Sequence, residues 1–200
     1  MLIIGITGSI GMGKTTVSNM LKLLKIPVFD SDEKVREILE KNNNIIEKIS
    51  INWPDAVSYH QKQKKINKVI LSNNIFKSKN ERKKLERIIH PIVKKERASF
   101  LENYKKLSIV GLDIPLLYET GMEKECDYVF LVNTTKEIQK KRVLMRPNMT
   151  KIKFELINDS QWSFERKIKG KPIIINTTFG KTITFIIVLF YLFKIRFRGK

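Results

Sequence analysis

The chain carries a single cysteine, Cys126, among 200 residues. No intramolecular disulfide can form, and a reducing, cytoplasmic setting is expected. Cys126 stands just before the apolar run Tyr128 to Val132, so burial beside a strand outweighs a catalytic thiol. The N-terminus has an apolar start, Met1 to Ile6, but lacks a basic leading region and a small-residue cleavage site. A signal peptide is therefore not expected. Apolar runs of bilayer-spanning length, about 17–25 residues, are lacking too. The run Ile183 to Phe193, followed by Lys194, Arg196, Arg198 and Lys200, falls short. It predicts a buried terminal helix ahead of a membrane-surface or oligomer contact, and no stable membrane insertion.

Acidic residues are scarce: 20 Asp and Glu stand against 39 Lys and Arg, a formal net charge of +19. That excess invites a nucleic-acid reading. Arginine is scarce as well, with nine against 30 lysines. The basic residues are scattered from residue 14 to residue 200 without Arg clusters or interleaved aromatics, which counts against nucleic acid as the partner. Abundant Lys, Ile and Asn fit a bias toward AT-rich codons, which raises charge without selecting a ligand. A polyanionic ligand is expected, nucleic acid being one candidate. With 42% hydrophobic and 30% charged residues, the chain is neither disordered nor a multi-span membrane protein. Its length suits one domain, or one with a small insertion.

Leu2 to Thr7 is a short Ile-rich run closed by Gly8 and reads as a buried strand. Val17, Met20, Leu21 and Leu24 recur at helical spacing, predicting a helix over Lys14 to Leu24. Pro27 to Phe29 makes a second strand, and Asp30, Ser31 and Asp32 supply helix-capping chemistry after it. From about Asn42 to Tyr104 the periodicity is helical, with no strand signal. Strands return at Leu107 to Leu112, Tyr128 to Val132 and Ile173 to Ile175. Helices are expected from about Thr135 to Arg146 and from Thr150 to about Arg166. Strands alternating with helices predict an open, parallel, five-stranded α/β sheet.

Gly8-Ser9-Ile10-Gly11-Met12-Gly13-Lys14-Thr15 fits G-x-x-x-x-G-K-[ST] in full. Glycines let the backbone curl so that successive N–H groups face one anion. The lysine reaches the β- and γ-phosphates, and the Thr15 hydroxyl is placed for Mg²⁺. The motif follows a predicted strand and opens a predicted helix, the arrangement that phosphate binding requires.

Three further groups are candidates. Asp32 falls at the carboxyl end of the second strand, where ligand crevices of open α/β sheets lie. It suits either a base toward an attacking hydroxyl or a helix cap. Asp113 ends the apolar run Leu107 to Leu112, a position suited to holding Mg²⁺ or its water shell. Arg142 and Arg146 lie four apart on one predicted helix face, suited to a transferring phosphoryl group or to plain solvation. His90, before Pro91, is more often structural than functional in such a setting.

Together these stretches resemble the dephospho-CoA kinase family of P-loop kinases. Ile4 to Val17 is similar to its G-x-T-G-G-I-G-x-G-K-[ST]-T-V opening, and Val28 to Asp32 to its V-I-D-A-D. Leu85 to Pro91 matches L-E-x-I-x-H-P, Asp113 to Glu119 matches D-I-P-L-L-[FY]-E, and Cys126 to Val129 matches C-D-x-V. Gln139, Arg142 and Arg146 match Q-x-x-R-x-x-x-R. The chain departs from the family at Trp53-Pro54 and Asn67-Lys68, where F-G and D-R are usual, and at Lys171-Pro172, where A-D is common.

The resemblance implies one three-layer P-loop domain. Residues 1–32, 105–146 and 167–200 form the core, 33–104 a helical substrate-binding insertion, and 147–166 a lid. It implies ATP-dependent phosphorylation of the ribose 3′-hydroxyl of dephospho-CoA, with Mg²⁺. Gly8, Gly11, Met12, Gly13, Lys14, Thr15, Thr16 and Arg146 would hold ATP. Asp32 would be the general base, with Lys14 and Arg142 in the catalytic shell. Thr15 and Asp113 would serve the metal, and His90 would face the pantetheine-bearing substrate. A monomer or weak homo-oligomer with small-molecule partners is expected. The alternatives are a kinase of another small acceptor such as a nucleoside monophosphate, and a nucleic-acid-binding P-loop ATPase.

Overall fold

The computed structural model describes residues 1–60 and 63–198; residues 61, 62, 199 and 200, and with them the expected terminal charge of Lys200, lie outside the described residues. The chain divides into two compact units, Met1–Asp30 with Tyr104–Lys200, and Ser31–Asn103. The larger unit opens with β1 (Leu2–Thr7), α1 (Lys14–Leu23) and β2 (Val28–Asp30). The smaller one holds α2 (Ser31–Lys41), α3 (Asn43–Asn52), β3 (Val57–His60), β4 (Gln63–Ile66), α4 (Lys68–Lys77) and α5 (Lys79–Asn103). The larger unit resumes with β5 (Ile109–Asp113), β6 (Tyr128–Asn133), α6 (Lys136–Leu144) and α7 (Lys151–Asp159). It ends with the one-turn α8 (Phe164–Lys167), β7 (Ile173–Asn176) and α9 (Gly180–Arg198).

In the larger unit the five strands run in the order β2-β5-β1-β6-β7, and every neighbouring pair is parallel. Strands covered on both faces need no polar alternation, so they read as continuous apolar runs. Ile4 and Ile6 of the central β1 are fully buried. On one face α1 and α9 bring Val17, Leu21, Val188 and Ile195 against Ile4, Phe130, Val132 and Ile175. Phe130→Ala is expected to destabilise by about 3–5 kcal/mol, because its ring is fully buried. A lower urea midpoint at unchanged slope would register that loss.

The terminal helix departs from expectation. Thr184, Val188, Leu192 and Ile195 are buried, but Ile183, Ile186, Phe190 and Phe193 are exposed. A helix can turn only one stripe toward one layer, and α9 is apolar around more of its girth than that stripe. Among the described residues no helix is long and apolar enough to cross a membrane. Cys126 is half-buried rather than buried, its sulfur packed so near Gly5 that a Cβ there would lie 2.8 Å from it.

The smaller unit gathers Ile38, Leu39, Ile45, Ile49, Trp53, Leu71 and Ile89. It is not wholly helical: β3 and β4 pair antiparallel, with Val57 opposite Ile66 and Tyr59 opposite Lys64. Among the described side chains of this ribbon, Val57 and Ile66 pack on the core. One apolar pair among lysines and glutamines leaves no strand-length signal. Asn67 caps α4, its side-chain oxygen accepting from Val69 and Ile70, and Lys68 pairs with Glu40. Both residues at that departure from the family pattern thus have local roles. Trp53 donates its indole N–H to Glu81 at 2.6 Å.

The stretch expected as one helix from Thr150 to Arg166 is broken between Asp159 and Phe164. Thr150 and Ser163 each accept a hydrogen bond from the amide three residues on. Each therefore starts its own helix.

Candidate active site

The centre of the site is the turn from β1 into α1. Gly11 (φ +79°) and Gly13 (φ +99°) adopt left-handed backbone, which a side chain would strain. Space forbids side chains there too. A Cβ on Gly11 would come within 2.5 Å of Val143 Cγ2, and one on Gly8 within 2.7 Å of the Val132 carbonyl oxygen. The Met12 amide closes the loop onto the Ser9 carbonyl at 3.2 Å. Gly13 is the N-cap of α1, and the first turn of α1 contains no acidic residue. Its unopposed positive end suits an anion. Thr15 is exposed there, and Thr16 is half-buried with its amide donating to Gly13 at 3.0 Å.

Lys14 forms an ion pair with Asp113, which also accepts from the Ser18 hydroxyl. Strand pairing explains the meeting: Asp113 at the end of β5 lies in register with Ile6 of β1, one residue before Thr7. Asp113 is 1% exposed. Burial pushes its carboxyl above the usual range, against the opposing pull of Lys14 and Ser18, and Asp30 adds to the push. Two donors therefore do not fully compensate for lost hydration.

Arg142 projects from the last turn of α6 and donates to the Thr177 hydroxyl at 2.8 Å and to the Thr177 carbonyl at 2.9 Å. Thr177 in turn donates to the Met12 carbonyl at 2.7 Å. The guanidinium is thereby set against the loop, with Nη1 3.3 Å from where a Cβ on Gly13 would stand. Arg146 does not share its helix face, because α6 ends at Leu144 with Met145 as its C-cap. Arg146 is exposed in the turn beyond, its amide donating to Val143 at 3.0 Å.

Two glutamines reach the same loop. Gln161 accepts from the Ile10 amide at 2.9 Å, and Gln139 donates to the Ile10 carbonyl at 2.8 Å. The next amide, that of Trp162, donates to Glu119 at 2.7 Å, and the buried Lys167 lies 3.2 Å from Glu119. A cavity of about 760 Å³ opens beside the loop, lined by Ser9, Met12, Thr135, Lys140, Asn158 and Gln161 among others.

Asp32 and His90 belong to the smaller unit. No turn separates β2 from α2, so Asp32 lies exposed in the first turn of α2 rather than closing a loop of the core. Its carbonyl accepts from Arg36 at 3.3 Å. His90 is exposed on α5, which runs on through Pro91. Sequence reading missed Ser18, Thr177 and Gln161. Ser18 was open to detection as the residue one turn after Lys14 on the same helix face. Thr177, just past the carboxyl end of β7, stands where open sheets place ligand-facing loops. Gln161 carries no local signal.

A family model described as dephospho-CoA kinase matches residues 2–180. A curated dephospho-CoA kinase from Bartonella quintana is 38% identical over 179 residues, covering 88% of this chain and 89% of the relative. The crystal structure of TT1252 from Thermus thermophilus superposes with a TM-score of 0.83 at 28% identity, covering 96% of each chain. A dephospho-CoA kinase from Campylobacter jejuni does so with a TM-score of 0.72 at 25% identity, over 99% of this chain and 98% of that one. Phosphate loop, parallel sheet and near full-length match agree: the chain belongs to the dephospho-CoA kinase family.

Proposed function

We propose that the chain transfers the γ-phosphoryl group of ATP to the ribose 3′-hydroxyl of dephospho-CoA, giving coenzyme A and ADP. The observation that carries this reading is the Gly8–Thr15 loop with Lys14 held on buried Asp113 at the carboxyl edge of the sheet. The loop amides and the start of α1 cradle the ATP phosphates, and Lys14 follows the charge of the transferring group. Arg142, already oriented by Thr177, keeps further N–H groups for the phosphoryl oxygens. Asp32 takes the proton of the 3′-hydroxyl as its oxygen bonds to Pγ and the bond from Pγ to the departing ADP oxygen breaks. Arg146 is assigned to ATP, and His90 to the pantetheine-bearing substrate, on their match to the family motifs.

The residues fit Mg²⁺. Thr15 offers an exposed hydroxyl oxygen, and Asp113 a carboxylate at the end of β5, held beside Lys14. Hard oxygen donors of this kind share Mg²⁺ with phosphate oxygens and water. When bound, the ion would neutralise charge on the β- and γ-phosphates. Residues 147–166 act as a lid that excludes water from the γ-phosphate. The protein works in the cytoplasm as a monomer or weak homo-oligomer, on small molecules and not on nucleic acid.

The test is ADP release from ATP with dephospho-CoA or nucleoside monophosphates as acceptor. Turnover is expected with dephospho-CoA alone and is expected to stop when EDTA removes Mg²⁺. A nucleoside monophosphate accepted in preference to dephospho-CoA would overturn the acceptor assignment.

A further inference from the structure

We propose that Gln161 and Gln139 are positioning residues that lock the phosphate loop, at Ile10, to the 147–166 segment. The proposal rests on the reading of Gly8–Thr15 as the ATP-phosphate cradle. Ile10 donates its N–H to Gln161 Oε1 at 2.9 Å, and its carbonyl accepts from Gln139 Nε2 at 2.8 Å. Gln139 Nε2 also donates to Asn158 Oδ1 at 3.3 Å. Both backbone polar groups of one loop residue are thus held by side-chain amides, one from α6 and one from just past α7. Gln139 is 5% exposed, so its bonds are shielded from competing water.

The polarity of this clamp is fixed by its partners. A backbone N–H can only donate and a backbone carbonyl can only accept. Gln161 must therefore present its oxygen to Ile10, and Gln139 its nitrogen. The clamp is anchored on its far side as well. The neighbouring Trp162 amide donates to Glu119, which is paired with buried Lys167. Residues 161 and 162 are consequently gripped by the phosphate loop on one side and by the segment following β5 on the other.

A phosphate loop stabilises charge only if its N–H groups already point where the phosphate will sit. Ile10 lies between Gly8 and Gly11, and the orientation of its two peptide planes sets the curl of the loop. Holding both planes removes freedom that the glycines would otherwise allow. Gln161 and Asn158 lie in the 147–166 segment, so seating that segment and shaping the loop become one event. The linkage acts on ATP and spares the acceptor.

The experiment is steady-state kinetics of the full chain with each substrate varied. Gln161→Met removes the acceptor at similar length, whereas Gln161→Glu retains one. Gln139→Met and Gln139→Glu both remove the donor. Losing one hydrogen bond to a loop that must stay ordered is expected to raise KM for ATP about tenfold in Gln161→Met. Gln161→Glu should remain within about threefold of the parent, and both Gln139 variants should lose as much as Gln161→Met. KM for dephospho-CoA should hold within about twofold throughout, a split that general loosening of the fold would not produce. An unchanged KM for ATP in Gln161→Met, an equal defect in Gln161→Glu, or a parallel rise in KM for dephospho-CoA would each overturn the proposal. If the Gln139 variants fail to fold, the two Gln161 variants decide. Failure of the cradle reading itself would show differently, as normal turnover in Lys14→Ala.

Discussion

Lys14→Ala is expected to lower kcat/KM by about 10²–10³-fold, the cost of removing one preorganised cationic donor from a phosphoryl-transfer site. The same change strands Asp113, which is 1% exposed and relies on Lys14 and Ser18. Breaking a buried pair by deleting one partner costs about 3–5 kcal/mol when the remaining charge has no other outlet. Asp113 has an outlet, since burial already pushes its carboxyl toward the protonated form. The stability loss should therefore shrink as pH falls and grow toward that range as pH rises. Adding Asp113→Asn to Lys14→Ala removes the stranded charge. The double variant should regain stability in a thermal melt without regaining turnover. Parent-level turnover in Lys14→Ala would remove the loop from the chemistry.

Asp32→Asn is expected to cut kcat by about 10²–10⁴-fold, the usual contribution of a positioned general base. KM for ATP should change little, because the phosphate loop, Arg142 and Asp113 are untouched. The fold should persist as well. Asp32 is exposed in the first turn of α2, and Glu33 supplies a second negative charge to that turn. Asn retains the shape of the side chain but cannot accept a proton at neutral pH, so loss of kcat with a normal melting temperature isolates the proton-transfer role. Full turnover in Asp32→Asn would sink Asp32 as the base and leave it a helix-end charge.

Legibility in the sequence follows the range of the forces involved. The phosphate loop is readable because its geometry is local: left-handed backbone at Gly11 and Gly13 selects glycine at fixed offsets from Lys14. The five core strands are readable because double-sided burial demands apolar runs, as at Ile4 and Ile6. The β3–β4 hairpin is not, since a two-stranded ribbon resting on Val57 and Ile66 needs little apolar sequence. Arg142 is readable as a basic residue near a loop, but its orientation depends on Thr177, 35 positions away. Gln161, 151 positions from Ile10, has no local mark at all.

The charge excess of +19 belongs to the same account. The family motifs would assign only a few of those cations to the phosphate site, Lys14, Arg142 and Arg146 chief among them, and the others need no shared partner.

The sequence by itself determined the phosphate loop, the parallel α/β sheet and the family. Each rests on residues close together in the chain, where backbone conformation and burial restrict the choice of side chain. Tertiary structure alone decided which side chains hold the loop in shape: Ser18 and Lys14 on Asp113, Thr177 between Arg142 and Met12, and two glutamines on Ile10. Those contacts join strands and helices far apart along the chain. A hydrogen bond needs only a donor and an acceptor at the right distance, which many residue types can supply, so composition and spacing leave the pairing undetermined until the sheet sets its register.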